Sequence, residues 1–336
     1  MGYDEIGLRF LLHAADQGVD YSNTATLGRQ SLFSGQAGML AALTACRGVT
    51  SPEVAAELFR DCDGYIDGFL RYLGADHVES VDASDFEDAT TVLDLNEPIP
   101  PEFDEQFSAV VEGGTLEHVF DFPTAIRNAM RMVRCGGHLI MGMPVNNFAG
   151  HGFYQFSPEL AFRVLSPQFG FRILEAILVE PYRPSPRYFR AADPEVVGHR
   201  LPFRSDSRTL LLVLAERIGP VPEFKPPPMQ SDYSTAWQQS KADSTTLPDT
   251  APSAAAPRTR LVGWESRTRR FVMTTARRAV PKRIERSGPV MRLKLWMVWF
   301  IPSMQLQPHY AAERRGFKPV HEPWTAPARS PSRSRP

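Results

Sequence analysis

Apolar and polar positions along the first 220 residues alternate between two periods. Residues 4–15 carry apolar side chains at helical spacing and predict a short amphipathic helix. "NTATLGRQSL" (23–32) reads as a strand that leaves through Gly28. "SPEVAAELFRD" (51–61) opens on Ser, then Pro at the first helical position and Glu soon after, which marks a capped helix start. A second helix, about 64–73, ends at Gly74. Four short apolar strands follow, "HVESVDAS", "ATTVLDLN", "FSAVVEGG" and "GGHLIMGMP", with a helix at 123–134 before the last. "FSPELAFRVLS" (156–166) is another capped helix, and "FRILEAILVE" (171–180) and "RTLLLVLAERI" (208–218) are strands. Strands and helices in this rhythm predict an α/β fold, a doubly wound and mostly parallel sheet with helices on both faces.

The pattern ends near Gly219. "GPVPEFKPPP" is proline-rich and 240–260 is Ser, Thr, Ala and Pro, so the expected organisation is a folded domain over 1–220 and a solvated linker over 221–260. Residues 261–336 form a basic tail, expected to be partly helical and then disordered over its last twenty residues. Charge sharpens the division. The net charge of −1 is the balance of 19 Lys/Arg against 34 Asp/Glu in residues 1–250 and 18 against 4 in residues 251–336. An acidic body would repel phosphates, so no nucleic-acid partner is expected. The tail sets Arg and Lys beside Trp264, Trp296 and Trp299, a composition suited to peripheral contact with an anionic membrane.

Cys46, Cys62 and Cys135 are scattered thiols without CxxC spacing, which argues against a disulfide framework or a zinc site, and no metal is expected. The first twenty residues lack a long apolar core, so no signal peptide is expected, and "WMVWFI" (296–301) is too short to span a bilayer. A cytoplasmic location follows as the expectation.

In an open α/β sheet the ligand site lies outside the carboxyl ends of the strands. Asp82 ends "VESVD" there, where an acid either accepts hydrogen bonds from two ribose hydroxyls or caps its own turn, and Asp94 ends "TTVLD" one strand over. Gly28 stands alone where a dinucleotide site usually shows three glycines, and Asp82 follows it by 54 residues rather than about 20, which disfavours NAD or FAD. "VVEGGTLEHVFDFP" (110–123) places Gly113 and Gly114 at a strand end, where a sharp turn or a close approach needs them, then Glu117 and His118. His118 is a candidate general base or a helix-start histidine, and Glu117 orients it, binds a metal with it or caps the helix. His151 and Tyr154 in "GHGFYQF" form a second polar cluster on a loop that either covers the site or packs its aromatics.

"VESVDASDFEDATTVLDLNEPIP", "GGTLEHVFDFPTAIRNAMRMVRCGGHLIMGMP" and "NNFAGHGFYQFSPELAFRVLS", with "LGRQ" as first motif, resemble the class I S-adenosylmethionine-dependent methyltransferases over about residues 24–237. The resemblance implies a Rossmann-like sheet of seven strands with the last antiparallel, and S-adenosylmethionine as cofactor. It puts Gly28 in the first motif, Asp82 and Ala83 at the ribose, Asp94 and Leu95 near the adenine, and Gly113 and Gly114 beside the methionine end. The chain departs from the pattern in its reduced first motif and in about thirty extra residues before the second strand. The activity implied is methyl transfer to a small molecule or glycan precursor, at oxygen, with His118, Glu117, His151 and Tyr154 as catalytic candidates. The alternative is a non-catalytic descendant that binds partners through its basic tail.

Overall fold

The computed structural model describes residues 2–198, 200, 203–234, 237 and 317–320. In chain order the strands are β1 (Gly2–Tyr3), β2 (Asn23–Leu27), β3 (Ser31–Leu32), β4 (His77–Asp82), β5 (Thr91–Val92), β6 (Phe107–Glu112), β7 (Val133–Asn146), β8 (Phe171–Glu180), β9 (Arg187–Ala191), β10 (Thr209–Arg217) and β11 (Phe317–Val320). The helices are α1 (Glu5–Asp16), α2 (Gln36–Arg47), α3 (Pro52–Cys62), α4 (Asp67–Tyr72), α5 (Phe122–Met132), α6 (Pro158–Val164) and α7 (Pro194–Val197). No described helix is long and apolar enough to cross a membrane.

Among the described residues nine strands form one sheet, in the order β11-β9-β8-β10-β7-β6-β2-β4-β5. Within it, β5, β4, β2, β6 and β7 are parallel neighbours, and β10 runs antiparallel between β7 and β8. This is the expected doubly wound sheet of seven with the last strand antiparallel, extended at one edge by β9 and β11, each antiparallel to its neighbour. The sheet therefore has nine strands and not seven.

Period-two alternation inside buried strands explains how both faces are covered. Val110 of β6, Leu139 of β7 and Leu211 of β10 face one core with Ile126, Ala129 and Met130 of α5. Their chain neighbours Val111, Ile140 and Leu212 face a second core with Leu8, Leu11 and Leu12 of α1, Met39 and Leu43 of α2 and Phe69 of α4. Side-chain oxygens start the helices: Asp4 accepts from Gly7 N at 3.0 Å, and Asp121 accepts from Thr124 N at 3.3 Å. The extra residues before β4 are α2, α3 and α4, one layer on the second face.

Two boundaries differ from expectation. Residues 221–234, expected as the start of a solvated linker, pack on the body. Pro222 O accepts from Arg127 Nε at 3.2 Å, Phe224 meets Phe169 edge-on at 5.0 Å, and Ser231 donates to Glu159 through N at 2.7 Å and Oγ at 3.0 Å. Phe317–Val320, expected to be disordered, is a strand whose residues pair from Phe317 with Ala191 to Val320 with Tyr188. The remainder of the linker and tail expectations lies outside the described residues.

Candidate active site

The strand order reverses between β2 and β6, since the chain builds β4 and β5 on one side of β2 and then β6 and β7 on the other. The carboxyl ends of these strands meet at the switch point, where open α/β sheets place their ligands in a crevice. On the β2 side, Gly28 takes φ +71° and donates from its N to Val81 O at 2.6 Å, so the loop leaves across β4. Arg29 lays its guanidinium over the Tyr65 ring at 3.9 Å and donates to Glu87 O at 2.7 Å. Gln30 is fully buried; its Nε2 donates to Leu27 O and to Thr115 Oγ1, the latter at 3.2 Å, while Oε1 has no partner.

Asp82 stands at the end of β4, half-buried, and braces this loop by accepting from Arg29 N at 3.4 Å and from Ala83 N at 2.7 Å. Ala83 is exposed beside it. Asp94 is brought to the neighbouring strand end, two residues beyond β5, but it is exposed and accepts from Asn96 N at 2.9 Å and Asn96 Nδ2 at 2.7 Å. Those hydrogen bonds, the backbone one first, hold its carboxyl below the usual range. Asp94 thus closes its own turn. Leu95 packs in the core and its carbonyl accepts from Asn128 Nδ2 at 3.2 Å, so its side chain takes no part in the crevice.

On the β6 side the strand ends in a buried acid. Glu112 Oε1 accepts from the N–H groups of Gly114, Thr115 and Leu116 at 2.8, 2.6 and 3.2 Å, and Oε2 has no partner. Gly114 takes φ +99°, a turn conformation that favours glycine. Gly113 serves a close approach. A side chain there would meet the Tyr3 ring and would lie 2.6 Å from Gln30 Oε1. Tyr3 is fixed over it by donating from its hydroxyl to Glu112 O at 3.1 Å, while Gly2 N donates to Gly113 O at 3.0 Å. What presses on Gly113 is the chain's own first strand together with Gln30.

The 3₁₀ turn Leu116–His118 carries the next pair. Glu117 is 1% exposed, with Oε1 3.3 Å from His151 Nε2 and Oε2 unpartnered. Burial first and the Glu112 carboxylate second push its carboxyl up to about 8. His118 is exposed and its ring stands edge-on to that of His151, centroids 5.0 Å apart. Burial, then the His151 charge, lowers its pKa. Glu117 therefore pairs with His151 from the following loop. That loop is stapled to the turn by Phe153 N donating to Glu117 O at 2.8 Å. Tyr154 donates from its hydroxyl to Phe120 O at 2.6 Å and its ring packs against Phe122 and Phe156, which makes it a clamp on the loop. Tyr3, Gln30 and Glu112 were not among the site residues expected from the sequence, although Gln30 ends the first motif "LGRQ" and Glu112 is the acid closing the apolar run "FSAVV".

No protein-family profile matches the chain, and no curated protein sequence matches it. Among solved structures, the branched-chain polyamine synthase from Thermus thermophilus, in complex with N4-aminopropylspermidine and 5'-methylthioadenosine, is similar at 15% identity and TM-score 0.34, over 64% of this chain and 56% of that one. The Burkholderia thailandensis 1,6-didemethyltoxoflavin-N1-methyltransferase matches at 11% identity and TM-score 0.34, over 64% and 78%. An S-adenosylmethionine-dependent methyltransferase from Mesorhizobium loti matches at 15% identity and TM-score 0.34, over 62% and 96%. At such scores the likeness carries no argument about activity, and the strand order stands on its own coordinates.

Proposed function

We propose that this chain transfers a methyl group from S-adenosylmethionine to a hydroxyl of a small molecule or glycan precursor. The observation that carries the reading is the reversal of strand order between β2 and β6, with Asp82, Gln30, Glu112, Glu117, His118 and His151 on the strand ends and loops at the carboxyl edge of the sheet. The residues fit the cofactor in two respects. Its ribose offers two hydroxyl donors, for which the half-buried Asp82 carboxylate is an acceptor. Its ammonium and sulfonium are cations, and Gln30 Oε1 and Glu112 Oε2 are buried oxygens without partners. When bound, the cofactor supplies an electrophilic methyl group.

Holding the reactants in place is the protein's main contribution to a displacement of this type. Asp82 fixes the ribose side and braces the Gly28 loop through Arg29 N. Glu112 orients the 3₁₀ turn through three backbone N–H groups, and so sets where Glu117 and His118 stand. The Glu117, His118 and His151 corner receives the acceptor hydroxyl, with the loop that carries Tyr154 closing one side.

One observation favours a second reading, a non-catalytic binding module: Tyr3 and Gln30 occupy the close approach above Gly113. Calorimetric titration of the full chain with S-adenosylhomocysteine separates the two. Binding is expected, with Asp82→Ala weakening it by about 1.5–3 kcal/mol, the scale of a hydrogen bond to a charged group. Absence of heat and of any melting shift at millimolar ligand refutes the methyltransferase reading. Equal affinity in the variant refutes only the role of Asp82.

A further inference from the structure

We infer that Glu117, His118 and His151 form a binding site for one divalent transition-metal cation of the zinc, iron or cobalt type. Each of the three side chains offers one ligand atom, and these atoms lie within 4.8 Å of one another. Among the described residues no other set of three His, Cys, Asp or Glu side chains meets this condition. Two imidazoles and one carboxylate are the donors that borderline cations prefer, at about 2.0–2.2 Å each. Ligands at that radius stand roughly 3–3.5 Å apart, and Glu117 Oε1 and His151 Nε2 are already separated by 3.3 Å. The remaining adjustment falls on His118, whose ring is exposed.

Three further features point to a ligand and not to a simple Glu–His pair. Glu117 is 1% exposed, yet its second oxygen has no hydrogen-bond partner. An acid buried to that degree is strongly disfavoured unless a cation or a set of donors compensates it. It also sits beside the buried Glu112, whose own Oε2 is unpartnered, and no Lys or Arg is paired to either carboxyl among the described residues. Finally, the backbone is shaped around the cluster. At Gly152, with φ +84°, a Cβ would lie 2.8 Å from Glu117 O and 3.1 Å from His118 Nδ1, and at Gly114 a Cβ would lie 3.1 Å from Glu117 Oε1. Glycine at both positions lets the loop that carries His151 lie directly on the turn that carries Glu117 and His118, and the bond from Phe153 N to Glu117 O pins it there.

Three protein ligands leave coordination positions open, which distinguishes a site that takes a further ligand from a closed structural one. His151 is 51% exposed and His118 is exposed, so the open side faces solvent at the mouth of the crevice. The further ligand that fits is an oxygen donor, and under the methyl-transfer reading, on which this last step alone rests, it is the acceptor hydroxyl. Coordination would hold that oxygen and favour its deprotonated form.

The test uses the full chain, stripped with a chelator and titrated with Zn²⁺ alone and with Co²⁺ alone. One equivalent is expected to bind, and Co²⁺ is expected to develop visible d–d absorption. His118→Ala and His151→Ala should each lower the affinity at least tenfold, and Glu117→Gln should do so without changing the far-ultraviolet circular dichroism. Changes in groups that merely support metal ligands already cost about 10- to 100-fold. His77→Ala, at an exposed His–Glu pair on β4, should leave binding unchanged. No bound metal, or binding that survives both histidine substitutions, or binding lost with His77, overturns the inference. Titration of the stripped protein with S-adenosylhomocysteine keeps the two proposals apart. Nucleoside binding without metal binding sinks this inference alone, and metal binding without nucleoside binding sinks the methyltransferase reading alone.

Discussion

Replacing Gly113 by alanine tests whether the chain's own first strand fills the space above the double glycine. The new Cβ would lie 2.6 Å from Gln30 Oε1 and 3.0 Å from Tyr3 Cδ2, and nearer still to Tyr3 Cε2. Carbon contacts are normally about 3.5–4.0 Å, so both neighbours must give by roughly an ångström. Neither is a free end. Tyr3 is held by its hydroxyl on Glu112 O, and Gln30 is fully buried with Nε2 on Leu27 O and Thr115 Oγ1. Overpacking of this kind costs about 1–3 kcal/mol. Tyr3→Ala alone should cost about 3–5 kcal/mol, the range for a buried aromatic. In that background Gln30 can swing into the vacated volume, so Gly113→Ala should then cost no more than about 0.5 kcal/mol, since alanine also loses less backbone freedom on folding. The expected coupling is about 1–2 kcal/mol. The measurement is the urea midpoint at constant slope, followed by circular dichroism. Gly150→Ala serves as control, because nothing lies within 4 Å of a Cβ there. Effects additive within about 0.5 kcal/mol would mean that Tyr3 does not occupy the space, and the account of the crevice would fail.

Other expectations concern stability. Arg217 is 3% exposed and donates to the carbonyls of Gly219, Arg131 and Val133 as well as to Glu105, so Arg217→Met, which leaves those carbonyls without their donor, should cost about 2–5 kcal/mol in urea unfolding. Glu105→Gln, on the exposed partner, should cost at most about 1 kcal/mol. His138 is 8% exposed with Nδ1 unpartnered, and burial holds its pKa below the ordinary imidazole value against the opposing charges of Glu216 and Asp20. The unfolded chain, titrating near about 6.5, therefore takes up a proton that the folded one refuses. Stability should fall as pH drops from about 7 through the folded pKa and flatten below it, and urea midpoints of His138→Gln should show a shallower slope over that window.

The elements that were legible in the sequence were those with strong local signals. Ser51 followed by Pro52 marked α3, and the apolar runs of β6 and β10 marked strands buried on both faces. Helix α2 was missed because Gly35 caps it with no side-chain hydrogen bond and only Met39, Ala42, Leu43 and Cys46 are buried, too thin a stripe to stand out. β9 and β11 were missed because their pairing is with each other and with β8, a long-range relation that leaves no local period. At the site, Asp82, Glu117 and His118 were legible as polar residues at strand ends. The partner of Glu117 was not, because His151 lies 34 residues away and only the pinned loop brings it over. Tyr154 was legible as polar but its hydroxyl is committed to Phe120 O, which no spacing reveals.

The hydrogen bonds that build the crevice join remote parts of the chain: Tyr3 to the Glu112 carbonyl spans 109 residues, and Gln30 to Thr115 spans 85. Closing loops of that size is entropically unfavourable until the strands between them have already paired. Helices α1 and α3 can form on local signals, whereas Tyr3, Gln30 and Glu112 can meet only after β2 and β6 are side by side. The site is thus a late product of folding. A chain halted short of completion would keep some of its helix and lack the assembled candidate site.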